Sequence, residues 1–195
     1  MNNAEFRARA RMNLGGSIFH NDWLTGLAVC LVGSVISGFF PLILMGPIAF
    51  GEAVIFLKKA RGGGRIVFED LFLGFELFGE NLLLGLMQGL FVFLWALIPV
   101  AGIFIAVYKS YGWALSFYIK VDNPSLEWRE CMDRSVLMMH GHRWQLFCLQ
   151  LSFIGWVLLG MLAFGVGVLW VEPYMAASTA NFYEARRMET PMDSY

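Results

Sequence analysis

Three stretches of this chain decide what it can fold into. Residues 23–57, 81–119 and 144–183 each hold a single charged side chain, respectively Glu52, Lys109 and Glu172. A helix needs about 20 apolar residues to cross a bilayer, with about 17 as the lower limit. Each block is too long for one crossing, and each carries a break near its middle. The breaks are Ser37-Gly38-Phe39-Phe40-Pro41, Ile98-Pro99-Val100-Ala101-Gly102 and Phe164-Gly165-Val166-Gly167. Glycine loosens the backbone and proline removes a donor, so such clusters end one helix and begin the next. The blocks therefore predict three helical hairpins, an all-α membrane protein of six transmembrane helices. The first hairpin is the tightest, and a single long span over 23–45 kinked at Gly46-Pro47 is the alternative there.

The basic residues discriminate between the two. Under the hairpin arrangement 13 of the 14 Lys and Arg fall on one side. They are Arg7, Arg9 and Arg11; Lys58, Lys59, Arg61 and Arg65; Lys120, Arg129, Arg134 and Arg143; Arg186 and Arg187. The three breaks hold no charge. Short loops rich in Lys and Arg stay cytoplasmic, which places both termini in the cytoplasm (N-in, C-in) of a multi-pass protein in the cell inner (cytoplasmic) membrane. A block that crossed once would put basic clusters on opposite faces.

Composition agrees with this and excludes other classes. The chain is 58% hydrophobic and 15% charged, with a net charge of −1, whereas a soluble domain carries about 25% charged residues. There is no basic excess for nucleic acid, and the aromatics lie inside apolar runs rather than among arginines. Cys30, Cys131 and Cys148 are too scattered for a disulfide framework or a zinc knuckle and read as free thiols. Residues 1–21 lack the pattern of a cleavable leader, so the first span is expected to stay as an anchor.

The blocks also resemble one another. Aligning Gly46 to Phe56 with the segments ending at Phe117 and Phe182 brings the three phenylalanines together, at spacings of 61 and 65 residues. Small residues Gly51, Gly112 and Ala177 coincide, and Pro47 matches Pro173 with Tyr108 between them. A shorter amphipathic segment precedes each hairpin. In 65–79, Phe68, Leu71, Phe72, Phe75 and Phe78 form an α-helical stripe, with Glu69, Asp70 and Glu76 off it. In 124–139, Trp128, Met132, Ser135, Val136 and Met139 share a face, with Asn123-Pro124 as cap and first-turn proline. In 4–14, Phe6, Ala10 and Leu14 line up. The expected organisation is one membrane domain over 1–195, with approximate repeats 1–60, 65–122 and 124–187 and a polar tail over 188–195. The amphipathic helices are expected on the cytoplasmic side, either in the interface plane or packed beneath the bundle. The acidic residues Glu127, Glu130 and Asp133 favour the second for 124–139.

Gly46-Pro47, Asp70-Leu71-Phe72 with Gly74-Phe75, Leu151-Ser152-Phe153-Ile154-Gly155-Trp156, Leu169-Trp170, Pro173-Tyr174 and Phe182-Tyr183 resemble a bacterial integral-membrane family known only as domain of unknown function 975. The resemblance covers nearly the whole chain, although the stretch after the first span is shorter than that family implies. More remotely, the architecture is similar to the membrane portions attached to some glycerophosphodiester phosphodiesterases. The resemblance implies a membrane fold and location and brings no catalytic or binding residues with it.

Glu52, Lys109 and Glu172 are the candidate functional residues. A charge inside a bilayer costs about 2.5–3.5 kcal/mol on insertion scales, so it meets a partner or a watery cavity. All three lie on the second helix of their hairpins. They read either as an ion or substrate path, or as structural charges in which Lys109 pairs with Glu172 and Glu52 sits near the cytoplasmic end. His140-Gly141-His142 lacks further ligands at metal-binding spacing. Gly85-Leu86-Met87-Gln88-Gly89 is a close-packing motif, and Arg61-Gly62-Gly63-Gly64-Arg65 reads as a linker rather than a phosphate loop. No nucleophile with a base, HExxH or paired carboxylate set appears. The expectation is a non-enzymatic protein without cofactor, acting through lipid or protein contacts on its cytoplasmic face as an accessory or envelope factor. Its expected partners are membrane lipids, with a membrane protein or a further copy of the chain as candidates. The alternative is a small transporter or channel built on Glu52, Lys109 and Glu172.

Overall fold

The computed structural model describes residues 2–16, 21–39, 41–98, 101–162 and 166–189, and among these the chain is all-helical. Its elements are α1 (Asn3–Asn13), α2 (Asn21–Phe39), α3 (Pro41–Ala60), a 3₁₀ helix (Phe68–Phe75), α4 (Phe78–Ala96), α5 (Ala101–Trp113), α6 (Ser116–Asp122), α7 (Trp128–Met138), α8 (Arg143–Leu151), α9 (Ile154–Leu162) and α10 (Val166–Glu189). Of the predicted breaks, Phe40, Pro99, Val100, Phe164 and Gly165 lie outside the described residues, as does the tail from 190 to 195.

Each apolar block folds back on itself. Gly33 of α2 faces Ile48 and Glu52 of α3. Gln88 of α4 donates to the Trp113 carbonyl at 2.9 Å. Gly160 and Gly167 bring α9 and α10 together so closely that a Cβ on Gly167 would lie 2.6 Å from the Gly160 Cα. The first block is thus a hairpin of two helices, and Pro47 lies inside α3 rather than in a single long helix.

Among the described residues two helical stretches, Phe78–Ala96 and Arg143–Met161, are long and apolar enough to cross a membrane. Six were expected, and a further apolar helix, Asn21–Ile36, is shorter than a span. The second block breaks after Trp113 into α5 and α6, whereas the third runs on through α8 into α9 and supplies the second stretch. Meanwhile α3 and α10 are long enough but carry charged residues at their C-terminal ends, Lys58 and Lys59 in one, Arg186 and Arg187 in the other.

The amphipathic segments hold the bundle together. Each lies across the second helix of the hairpin before it, and α1 takes that role for the last hairpin. The 3₁₀ helix crosses α3 where both backbones are bare. A Cβ on Gly51 would lie 2.0 Å from the Leu71 carbonyl oxygen, and one on Gly74 would lie 1.9 Å from that of Pro47. Ser135 of α7 donates to the Gly112 carbonyl of α5 at 2.7 Å and accepts from the Leu115 amide at 3.2 Å. Phe6 of α1 packs on Phe182 of α10 at 5.2 Å between ring centroids, and Asn13 donates to Asn181 at 3.3 Å. At Gly51 only a hydrogen side chain admits the second backbone, whereas Gly112 is approached by the side chains of Ser135 and Arg143.

Two details of these segments differ from the sequence reading. Residues 65–79 were expected to follow the α-helical period, yet 68–75 form a 3₁₀ helix, whose residues three apart eclipse. Leu71 and Gly74 are buried on one face, against Val29, Ile48 and Ile55. Phe72, Phe75 and Phe78 form a ring ladder on another, with centroids 6.0 and 6.1 Å apart, and Phe72 and Phe78 are exposed. In 124–139 the helix starts at Trp128 with Glu127 as its N-cap, not at Asn123-Pro124. The reason is that the Pro124 carbonyl is engaged by Lys120 at 2.7 Å. The line Phe6, Ala10 and Leu14 is wholly buried.

Candidate functional site

Ionic contacts gather at one end of the bundle, where α3, α6 and α10 finish. Helix C-termini favour cations, so the Lys and Arg that close these helices are well placed, and acidic partners from neighbouring elements meet them. Lys59 binds Asp22 at 2.6 Å and Lys58 binds Asp70 at 2.8 Å. Asp122, nearly buried, accepts from Arg61 at 2.7 Å, Arg187 at 3.2 Å and the Tyr183 hydroxyl at 2.7 Å. Arg61 also bridges to Glu184 at 2.7 Å. Burial alone would lower the Arg61 pKa, but the hydrogen bonds to Asp122 and Glu184 outweigh it and raise it, so the guanidinium stays charged. Positions 61, 122 and 187 share the 61- and 65-residue spacing that aligns Phe56, Phe117 and Phe182. The aligned positions thus meet in one cluster, and Tyr118 and Tyr183, one residue on from those phenylalanines, stack at 5.4 Å.

Lys120 has no exposed surface. Its ammonium pairs with Glu80 and donates to the carbonyls of Pro124 and Leu126 at 2.7 and 2.6 Å, which uses all three of its protons. Arg186 binds Glu189 at 2.7 Å and lies within 3.0 Å of both ring nitrogens of His142. Partial burial and the Arg186 charge lower the His142 pKa. Burial pushes the Cys131 thiol up to about 11, which keeps it protonated and a poor metal ligand near neutral pH. Among the described residues no group of three or more His, Cys, Asp or Glu is placed to hold a metal ion.

The structure brings two of the three predicted intramembrane charges together and leaves out the third. Glu52 of α3 points at Gly33 of α2, where a Cβ would lie 2.6 Å from its Oε1. Glu172 of α10 lies within electrostatic reach of Glu52, and both reach the Cys30 thiol. Lys109 sits half-buried on α5, and no ion pair joins it to Glu172 among the described residues. The expected Lys109–Glu172 pair is therefore corrected. Both helices of the first hairpin, α2 and α3, pack on α10, and the one charge within that block is Glu52, not a cation. Of the close-packing motif, Gly85 meets Gly46 of α3, with a Cβ only 2.8 Å from the Gly46 Cα, whereas Gly89 faces open space.

A second feature escaped the sequence reading. A groove of about 650 Å³ runs between the end of α1, α2, α9 and α10. Arg11, Trp23, Trp156, Leu159, Trp170 and Tyr174 line it. Trp23 donates its indole N–H to the Trp170 carbonyl at 3.2 Å and packs on Tyr174 at 5.6 Å. Phe153 backs Tyr174 edge-on at 4.9 Å, and the Arg11 guanidinium lies over the Tyr174 ring at 5.9 Å. Three of the seven tryptophans thus share one groove. A smaller cleft of about 370 Å³ lies under the loop after α3, but Lys58 and Lys59 in its wall are already paired with Asp70 and Asp22.

Residues 107–189 match the model of DUF975, a protein family of unknown function. This is the family that the sequence motifs resembled, and the match covers 83 residues, under half the chain. The DUF975 segment runs from α5 to α10 and contains Lys120, Asp122 and Arg186 of the ionic end, together with Glu172. It also supplies Trp156, Trp170 and Tyr174 of the groove, three of the residues through which the resemblance was read. Arg11, Trp23 and Glu52 lie outside the matched segment. No curated protein and no solved structure matches the chain.

Proposed function

We propose that this chain is a non-enzymatic multi-pass membrane protein that works by holding lipid or a protein partner at its cytoplasmic face. In this reading the three hairpins are six spans, with α5 and α6 forming one and α8 and α9 another. Both termini, α1, the 3₁₀ helix and α7 lie on the cytoplasmic side of the inner membrane. One observation carries the proposal. The large apolar side chains of the hairpin tips are exposed, Phe93, Leu97, Ile103, Phe104 and Leu158 among them, while the ion pairs lie at the opposite end. In water such a surface would be far larger than the few hundred Å² that soluble monomers tolerate. In a bilayer it is the required surface, and the polar end is left to make specific contacts.

Cysteine scanning tests the arrangement. Cysteines placed at Gly38 and Ala101 should react with an impermeant reagent from outside intact cells, and cysteines at Gly63 and Ser125 should not. Outside labelling at Gly63 would overturn the six-span reading.

A second reading, a small transporter or channel, rests on Glu52 and Glu172 lying within electrostatic reach of one another and of Cys30, because neighbouring carboxylates suit a cation. Lys109 stands apart from them. Flux through liposomes that falls with Glu52→Gln and with Glu172→Gln, but not with Lys109→Met, would favour this reading over the first.

A further inference from the structure

We propose that the groove between α1, α2, α9 and α10 holds an acyl chain of an anionic phospholipid from the surrounding bilayer, with its phosphate against Arg11. The proposal rests on the membrane reading above and names the ligand of one site within it.

The shape of the groove selects a chain that enters sideways. Its floor is buried, with Trp23 4% and Tyr174 7% exposed, whereas its outer wall is open, with Trp156 53% and Leu159 62% exposed. That open side is continuous with the apolar surface of α9, where lipid would lie. At the tip end the Gly160–Gly167 contact closes the space. From Gly167 to Tyr174 the groove follows α10 for about 10 Å at 1.5 Å per residue. Its volume of about 650 Å³ falls in the range of small-molecule sites, about 300–1,000 Å³.

Charge selects the headgroup. Arg11 stands at the other end, exposed, and has no ion-pair partner among the described residues. This contrasts with Lys58, Lys59, Arg61, Arg186 and Arg187, all of which are paired. A guanidinium offers a planar fork of donors that fits phosphate oxygens, and it can keep its place over the Tyr174 ring while doing so. The indoles of Trp23, Trp156 and Trp170 are apolar faces with a polar edge, the chemistry found where lipid headgroups meet acyl chains. A cation is excluded by Arg11 itself.

The experiment uses the full chain reconstituted in vesicles of equal parts phosphatidylglycerol and phosphatidylcholine, followed by gentle extraction and mass spectrometry of the retained lipid. The wild-type chain should retain phosphatidylglycerol in preference to phosphatidylcholine. Arg11→Gln should cut that preference about five-fold, because it removes the forked charged donors from the phosphate. Arg9→Gln, an exposed neighbour on the same helix, should leave it unchanged. Leu159→Trp, which adds bulk at the open wall without touching the core, should reduce retention of both lipids. If Arg11→Gln behaves like Arg9→Gln in a chain that has inserted into the vesicles, the groove proposal fails and the membrane reading stands. Retention of a protein instead of lipid also overturns it. A chain that does not insert into vesicles at all brings down the membrane reading, and the groove proposal with it.

Discussion

The two ends of the helical bundle are built on opposite rules. At the ionic end, α3, α6 and α10 finish among α1, the 3₁₀ helix and α7, and large side chains such as Phe6, Phe56, Leu57, Phe182 and Tyr183 are almost fully buried. There Lys58, Lys59, Arg61, Arg186 and Arg187 each meet an acidic partner, and even Lys120 is buried without remaining unsatisfied. At the tip end, pairs of helices pack on each other but present their outer faces to the surroundings, with Phe104 74% exposed. The ionic end behaves like the core of a soluble protein, held by burial and by hydrogen-bonded charge. The tip end shows almost no means of being stable in water. The difference teaches that the fold of this chain is fixed at one end, whereas the other end depends on its solvent.

That comparison predicts where damage should fall. The largest effect is expected from Asp122→Ala, which strands Arg61 and Arg187 beside one another and leaves the Tyr183 hydroxyl without its acceptor. Removing one member of a buried ionic cluster costs several kcal/mol, and the partial exposure of the two arginines reduces this to about 2–4 kcal/mol. Thermal unfolding in detergent should show this loss, while Phe104→Ala at the tip should stay within about 0.5 kcal/mol of wild type. Comparable losses from both would erase the distinction between the ends.

Backbone crossings sharpen the comparison at an intermediate scale. Gly74→Ala would push a methyl into the Pro47 carbonyl and should destabilise by about 1–3 kcal/mol, the cost of overpacking. Gly89→Ala, on the exposed side of α4, should be neutral or stabilising by up to about 1 kcal/mol because alanine is the better helix former. Denaturation of the two variants side by side checks this, and equal losses would mean that the 3₁₀ helix is not clamped on α3.

The smallest effect concerns pH. Because the His142 pKa is lowered in the folded chain, through burial and then Arg186, the folded state binds fewer protons than the unfolded one as His142 titrates. Stability should therefore fall as pH drops below the unfolded value of about 6.5. His142→Gln should flatten that slope in melting curves recorded between pH 5 and 7.5, about the window in which an ordinary histidine titrates. An unchanged slope would show that Arg186 and His142 do not meet in solution.

Much of the architecture was legible in the residues because hydropathy and charge are local quantities. The three hairpins followed from glycine and proline in blocks with a single charge each, and the line Phe6, Ala10, Leu14 from spacing alone. The matched small residues Gly51 and Gly112 were legible as a repeat, but not that the 3₁₀ helix and α7 would approach them. The reading faltered where the backbone chose between similar periods. In 65–79 the spacing of Phe68, Leu71, Phe72 and Phe75 suits an α-helix, but glycine against backbone at Gly51 and Gly74 draws the segment into a 3₁₀ turn. The groove was missed because Arg11, Trp23, Trp156 and Trp170 are distant in the chain and none is unusual where it stands.

The sequence by itself determined that this chain is helical, that its apolar blocks turn back on themselves, and that its charges collect at one end. Those properties depend on neighbours a few residues apart. Only the tertiary structure decided that α1 closes onto α10, that Arg61, Asp122 and Arg187 share one cluster, and that Lys109 makes no ion pair with Glu172. Each of these depends on which helix faces crossed at small residues, and so on close approach in three dimensions between positions up to 168 residues apart. An apolar run carries no information about which of its neighbours it will touch, since any apolar face satisfies it nearly as well. Backbone contact at glycine and the matching of a buried charge to its partner supply that choice.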